Sequence, residues 1–261
     1  MTPGRSHPPK TLVCRLAPAL AASLLVLAAF AFRAAAEPPQ AVVELFTSQG
    51  CSSCPPADAL LGHLARQPGI IALTLPVDYW DYLGWQDTFG SPAHSKRQEA
   101  YARSRGDGKV YTPQMVINGT AHVIGSHRKD VIEAIADEAG KANGRWVPVA
   151  IATGNGEVVV QTGGHQGTGE APDATVWIAL TMDKGEVAVE NGENSGRKLT
   201  YFNVVRQLMP VGTWHGEPVT LRLPEADVMK GYDGCAVLLQ ENGTGPILGA
   251  AFMPYDAGDD D

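Results

Sequence analysis

The chain has 261 residues with 28 acidic against 20 basic side chains, a formal net charge of −8. That balance excludes nucleic acid or an anionic lipid surface as the principal partner. The length suffices for one large or two modest domains.

Residues 1–36 read as an export signal. Arg5, Lys10 and Arg15 precede an apolar stretch from Leu16 to Phe32, and Ala34-Ala35-Ala36 supplies small residues for cleavage. The stretch is long for a signal, so an uncleaved N-terminal anchor stays open beside the cleaved form. Cleavage removes Arg5, Lys10, Arg15 and Arg33 and no acid, which leaves the mature product more acidic still and with no membrane attachment. The predicted location is therefore outside the cytoplasm, in the periplasm. Three cysteines remain after cleavage, Cys51, Cys54 and Cys235. In an oxidising compartment an odd count leaves one unpaired. Cys235 opens the apolar run to Leu239, which predicts a small buried core side chain.

The first mature element is a strand over Ala41 to Phe46. It runs into Thr-Ser-Gln-Gly, then Cys51-Ser-Ser-Cys54, then Pro55-Pro56 and an amphipathic helix reaching Arg66. A helix N-terminus presents unpaired N–H groups and the positive end of the helix dipole, both of which stabilise a thiolate. Cys51 is thus the candidate nucleophile, and Cys54, two residues on, the thiol that resolves its mixed disulfides. Two other uses stay open for the pair, a static disulfide and a metal site. Zinc needs a second Cys/His pair at ligand spacing, and none occurs. Cu(I) needs only soft thiolates, with His63, His94 or His122 as a further ligand. The residue before a proline is pushed out of helical geometry, so the helix is expected to begin only at Pro55, farther from Cys51. No resident metal or cofactor is predicted.

Ile70 to Val77 is a second buried strand, which completes a parallel βαβ unit. The connection that follows, Asp78 to Asp87, is rich in aromatics. Because it leaves the carboxyl end of a strand, on the rim that carries the cysteines, Trp80, Tyr82 and Trp85 are candidates for a substrate groove. Ser91 or Pro92 starts a helix to about Arg105 whose Lys96, Arg97, Arg103 and Arg105 form a basic, solvated face. Tyr111-Thr112-Pro113-Gln114 enters a third strand, and Asn118-Gly119 predicts a type I′ hairpin returning through Ile124. Ser126 is the predicted N-cap of a helix through Gly140, and Asn143-Gly144 ends this half.

From Trp146 the texture becomes strands alone. The runs 147–151, 158–161, 174–182, 187–190, 199–205, 219–223, 235–240 and 247–253 are separated by Gly, Asn, Asp and Pro, which predicts an antiparallel sandwich. The expected organisation is a signal over 1–36, an α/β domain over 37–143 and an all-β, sandwich-like domain over 144–261. The loop Gly192 to Arg197 reads as a turn, with contact to the first domain as the alternative.

The order of elements through residue 142 resembles the thioredoxin fold. The segments Glu44 to Asp58, Val77 to Trp85, Tyr111 to Gln114 and Glu193 to Arg197 are more narrowly similar to an exported bacterial family catalogued as a domain of unknown function, number twelve-twenty-three. The thioredoxin resemblance implies a cis bond at Thr112-Pro113 facing the cysteines, where it leaves the backbone free to pair with an extended substrate. It also implies that Glu44 is a buried carboxylate passing a proton to the resolving cysteine, although it stands one residue farther from Cys51 than the fold usually has it. These expectations favour a thiol–disulfide oxidoreductase acting on protein or small-molecule thiols and disulfides. A non-catalytic binding module with a structural disulfide is the alternative, with a Cu(I) carrier behind it.

Overall fold

A computed structural model describes residues 1–2 and 39–254. The expected signal segment and the Asp259-Asp260-Asp261 tail lie outside the described residues. Residues 39–254 form a single compact unit.

Strand β1 (Ala41–Thr47) and strand β2 (Ile70–Pro76) pair in parallel around helix α1 (Pro55–Leu64). Both strands are buried on two faces, which explains their near-continuous apolar composition. A 3-10 turn (Asp81–Leu83) leads to helix α2 (Pro92–Arg105), whose N-cap Ser91 accepts the Ala93 N–H on its hydroxyl. Strand β3 (Gln114–Ile117) runs antiparallel to β1 and turns into strand β4 (Ala121–Ile124). The turn is the expected type I′, with φ of 48° at Asn118 and 74° at Gly119. Gly119 has no room for a side chain, because a Cβ there would lie 2.3 Å from the Gly245 carbonyl oxygen. Helix α3 (Arg128–Ala142) starts one residue later than predicted, with His127 rather than Ser126 at its N-cap position and no side-chain cap.

Residue alternation along β1 separates two layers. Val43 and Leu45 meet Ala57, Leu60, Leu61 and Leu64 of α1 and Val131 and Ile135 of α3. Val42 and Phe46 face the opposite way, toward Tyr101 of α2 and on to Ala236 and Leu238. Helices therefore cover both faces of the β1–β2 pair.

Strands β5 (Val149–Gly154), β6 (Glu157–Thr162) and β9 (Val219–Pro224) form a three-stranded antiparallel sheet. Strands β7 (Ala174–Ala188), β8 (Lys198–Trp214), β10 (Gly234–Glu241) and β11 (Ile247–Pro254) belong to a larger one, with a one-turn helix α4 (Glu225–Val228) after β9. Val158 and Val160 of the small sheet meet Val176, Ile178, Leu180, Val237 and Leu239 of the large one in a shared apolar core. Cys235 lies in that core, fully buried, and burial pushes its thiol up to about 12.

Two modules divided at residues 143/144 are not what the large sheet shows. Its order is β11-β10-β7-β8-β2-β1-β3-β4, eight strands continuous through both halves. The join is the β2–β8 pairing, a single parallel bridge between Thr74 and Val204. Two side-chain bonds reinforce it: the Thr74 hydroxyl donates to the Phe202 carbonyl (2.7 Å), and Asn203 Nδ2 donates to the Ala72 carbonyl (3.0 Å). Phe202 also seats on α1, where a Cβ at Gly62 would lie 2.4 Å from its ring. The runs predicted at 174–182 and 187–190 are one strand, and β8 continues far past Val205. Gly185 and Pro210 read as breaks in the sequence, yet register shifts between Val176 and Trp177 and between Leu180 and Thr181 let the hairpin carry Pro210 opposite Trp177.

Arg97 is also not on a solvated face. It is 5% exposed and turned inward, unlike exposed Arg103 on the same helix.

Candidate functional site

The end of β1 and the start of α1 hold Cys51 and Cys54 in a disulfide, with their Cα atoms 5.4 Å apart. Cys54 is the N-cap of α1 and Pro55 and Pro56 fill its first two helical positions. Prolines fit there because the N–H they lack has no helical acceptor. The helix thus begins where the pre-proline rule places it, and Cys51 stands three residues outside it. Cys51 is held instead by a turn, its N–H donating to the Ser48 carbonyl (3.1 Å). Both cysteines are buried (2% and 0% exposed), while Ser52 and Ser53 between them are exposed.

Glu44 does not face this disulfide. It lies on the α2 side of the sheet, with Val42 and Phe46, whereas α1 packs on the other side. Arg97 Nε reaches Glu44 Oε1 at 2.6 Å, Arg97 Nη2 reaches Oε2 at 3.2 Å, and the Tyr101 hydroxyl also donates to Oε2. Gln240 of β10 closes the network, accepting from Arg97 (3.0 Å) and donating to Tyr101 (2.9 Å). The guanidinium stacks 4.9 Å from the Tyr101 ring centroid and 5.7 Å from that of Trp177. A carboxylate so fully paired ties α2 and β10 to β1 and has no path to Cys54, which corrects its predicted role.

The buried acid on the cysteine side is Asp58. It sits four residues after Cys54, on the same helix face and bonded by its backbone N–H to the Cys54 carbonyl (3.1 Å). The Thr47 hydroxyl donates to its Oδ1 (2.7 Å), and Oδ2 is enclosed without a partner. Burial, opposed by the Thr47 bond and reinforced by nearby Asp87, pushes the Asp58 carboxyl up to about 8. Asp87 is raised as well, chiefly by burial, although it accepts the N–H groups of Gln49 (2.8 Å) and Phe89 (2.9 Å). The Tyr201 hydroxyl is buried without a partner and its pKa is raised by burial and by both carboxylates. Asp58 also borders a cavity of about 450 Å³ whose rim carries His63, Arg66, Lys184 and Lys198.

The aromatic connection flanks the cysteine turn. Trp80 donates its indole N–H to the Thr112 hydroxyl (2.8 Å), and a Cβ at Gly50 would lie 3.1 Å from its own Cβ. It therefore links the turn to Thr112-Pro113, whose peptide bond is cis as the resemblance implies. Trp85 donates to Gln49 Oε1 (2.8 Å) and packs toward Val189, Leu199 and Tyr201. Tyr82, between them on the 3-10 turn, is 79% exposed. The structure thus brings Trp80, Trp85 and Thr112 to the cysteine turn and leaves Tyr82 in solvent.

The loop after β7 completes the enclosure. Fully buried Asn194 donates from Nδ2 to the carbonyls of Gln49 and Cys51, both at 2.9 Å. Glu193 accepts the Ser52 N–H at 3.1 Å, and its carboxyl is held below the usual range by the Ser52 hydroxyl and N–H. The contact alternative for the Gly192–Arg197 loop is therefore the observed one. Sequence reasoning weighs Glu193 and Asn194 only within that loop, whose conspicuous Glu-Asn-Ser-Gly-Arg run is their signal. Asp58 had one in its spacing from Cys54.

The histidines weighed as copper ligands are engaged elsewhere. His63 meets Arg66, buried His94 holds the Pro76 carbonyl (2.8 Å), and His122 lies between Tyr111 and Asp107. Among the described residues no three His, Cys, Asp or Glu side chains gather to hold a metal. No helix among them is long and apolar enough to cross a membrane.

The chain is similar to the X-ray crystal structure of protein AGR_C_4864 from Agrobacterium tumefaciens, with 34% identity and a TM-score of 0.75, over 86% of this chain and 98% of that one. No curated protein matches it. A family model described as "Protein of unknown function (DUF1223)" matches residues 42–240, a span that takes in the cysteine turn, both tryptophans, the Thr112-Pro113 bond and the Asn194 clamp. The chain belongs to that family.

Proposed function

We propose that this chain is an exported, periplasmic thiol–disulfide oxidoreductase whose α/β half is thioredoxin-like and whose substrates are protein or small-molecule thiols and disulfides. The observation that carries the reading is a disulfide at the strand-to-helix turn with a buried carboxyl, Asp58, on the same helix face as Cys54, whose Oδ2 has no partner. Trp80 and Trp85 wall the turn, and the Thr112-Pro113 segment offers extended backbone beside it.

The exchange balances as follows. A substrate thiolate attacks Cys51 Sγ, the Cys51–Cys54 bond breaks, and its electron pair leaves on Cys54, which takes the proton of Asp58. A second substrate thiolate then attacks the substrate sulfur of the mixed disulfide and expels Cys51 as thiolate. The substrate dithiol loses two electrons and the Cys51/Cys54 pair gains them; run backward, the same steps reduce a substrate disulfide. The carboxyl exchanges its proton with solvent through the cavity it borders.

The test is trapping. In Cys54→Ala the nucleophile that releases substrate is gone, so thiol-sensitive adducts should accumulate on Cys51 in extracts of the export compartment, while Cys51→Ala should trap far less. Absence of adducts, together with failure of the wild type to turn over a model disulfide, would refute the enzyme. One observation supports a second reading, a binding module stabilised by a structural cross-link: both sulfur-bearing residues are buried and Asn194 fixes the turn between them. That reading predicts equal stability loss in the two variants and no adducts.

A further inference from the structure

The cavity of about 450 Å³ that Asp58 borders lies between α1 and the β7–β8 hairpin. Its size is that of sites for small ligands. In a chain of net charge −8, three cations line it, Arg66 from just beyond α1 and Lys184 and Lys198 from the hairpin, against one acid, Asp58.

The balance stays positive when the neighbours are counted. Lys184 and Lys198 share a single carboxylate, Glu186, at 2.8 and 2.5 Å. Arg66 has no carboxylate partner among the described residues. Burial keeps Asp58 protonated up to about pH 8. Three cations less Glu186 leave two positive charges, and an ionised Asp58 would still leave one.

The donors are fixed in place and open to solvent. The Arg66 guanidinium stacks 5.4 Å from the Phe202 ring centroid, and its Nη2 donates to His63 Nδ1 (3.2 Å). An arginine N–H can only donate, so His63 accepts on Nδ1 and carries its own proton on Nε2. Phe202 is itself anchored, seated against Gly62 and bonded through its carbonyl to the Thr74 hydroxyl. Arg66 and His63 are exposed, and the Lys184 and Lys198 side chains are 49% and 67% exposed, so a ligand reaches all four without entering the core. A guanidinium fork on one wall and two ammonium groups on the other match an anion whose charge is spread over several oxygens.

We propose that this cavity binds a small oxyanion carrying two negative charges, a dicarboxylate or a phosphate, between Arg66 and His63 on one side and Lys184 and Lys198 on the other. Asp58 borders the same space, so a bound anion would oppose its ionisation and connect the site to the helix that Cys54 caps.

The test titrates the full chain with potassium phosphate and with potassium succinate at about pH 7.5, where both are mainly dianions, with ionic strength held constant by potassium chloride. Binding is followed through the His63 ring resonances and the thermal unfolding midpoint. Saturable shifts are expected, and whichever of the two binds tighter identifies the oxyanion; acetate should bind at least about tenfold more weakly. Arg66→Gln should lower the affinity at least about tenfold, and Lys198→Gln, at an exposed position, should lower it independently, which covers the case in which the first variant fails to fold. No saturable shift with either dianion up to about 10 mM, acetate binding as tightly as the dianions, or unchanged affinity in either folded variant would each overturn the proposal.

Discussion

Asp58→Asn should change how stability depends on pH more than it changes stability itself. With its folded pKa raised to about 8 by burial, Asp58 stays protonated in the native protein where the unfolded chain, with a pKa of about 3.9, has already ionised. Its contribution is therefore complete below about pH 4 and is lost as pH rises toward about 8, at a slope approaching 1.4 kcal/mol per unit and a ceiling on the order of 5 kcal/mol. His94 acts in the opposite sense: burial holds its imidazole down at about 4, so folding gains stability as pH rises from about 4 to about 6.5. In the wild type the two slopes largely cancel up to about pH 6.5, and the loss from Asp58 stands alone above it. The asparagine keeps the Thr47 bond and adds an unpaired N–H₂, a pH-independent cost of about 1–3 kcal/mol. Urea unfolding of the disulfide-intact proteins at one-unit steps from pH 5 to 9 should show the variant gaining on the wild type at each step and levelling off above pH 8. A stability difference that does not change with pH over that range would mean an ordinarily ionised Asp58, and the proton-transfer role would fall with it.

Arg97→Met should cost about 3–5 kcal/mol in thermal or urea unfolding by stranding the Glu44 carboxylate, and the double variant Arg97→Met/Glu44→Leu should be more stable than the single one. Asn194→Ala removes two bonds to the carbonyls of Gln49 and Cys51; it should lose about 2–3 kcal/mol and speed reduction of the disulfide by a phosphine, read by thiol release. Glu193→Gln keeps an acceptor for the Ser52 N–H while removing a negative charge beside the pair, so reduced protein should alkylate faster at Cys51 and the reduction potential should rise, by less than the roughly 30 mV of a tenfold step. With carboxyls at 87 and 193 around the turn and Cys51 outside the helix, the wild-type potential should lie nearer the roughly −270 mV of thioredoxin than the roughly −120 mV of strong oxidants, measured against glutathione.

What the sequence made legible is what neighbouring residues decide. The pre-proline constraint set the start of α1 at Pro55, and Asn118-Gly119 specified its own turn. Cys235 declared itself a core residue by the apolar run it opens. What stayed hidden depends on partners far along the chain. Periodicity does not say which cation of α2 turns inward; that is decided by Glu44, 53 residues away, and by Gln240, 143 residues away. Glu44 itself followed the alternation of β1, and only the placement of α1 on the other face shows that the cysteines are out of its reach. The continuity of the large sheet was masked because Gly185 and Pro210 imitate strand ends, and because one bridge from Thr74 to Val204 leaves no local trace.

The narrow join between β2 and β8 also dictates an order of assembly. The residues that stitch it, Thr74 to Phe202 and Asn203 to Ala72, stand 128 and 131 positions apart, and the Asn194 clamp on Cys51 spans 143. Loop closure over such lengths comes late in folding. A chain emerging amino end first presents its two cysteines within the first quarter of its length, and their enclosure is completed only when the loop carrying Glu193 and Asn194 has arrived. Nascent chains therefore pass through a stage in which the pair is open to whatever oxidises it, and closure of β8 on β2 seals the cross-link in place.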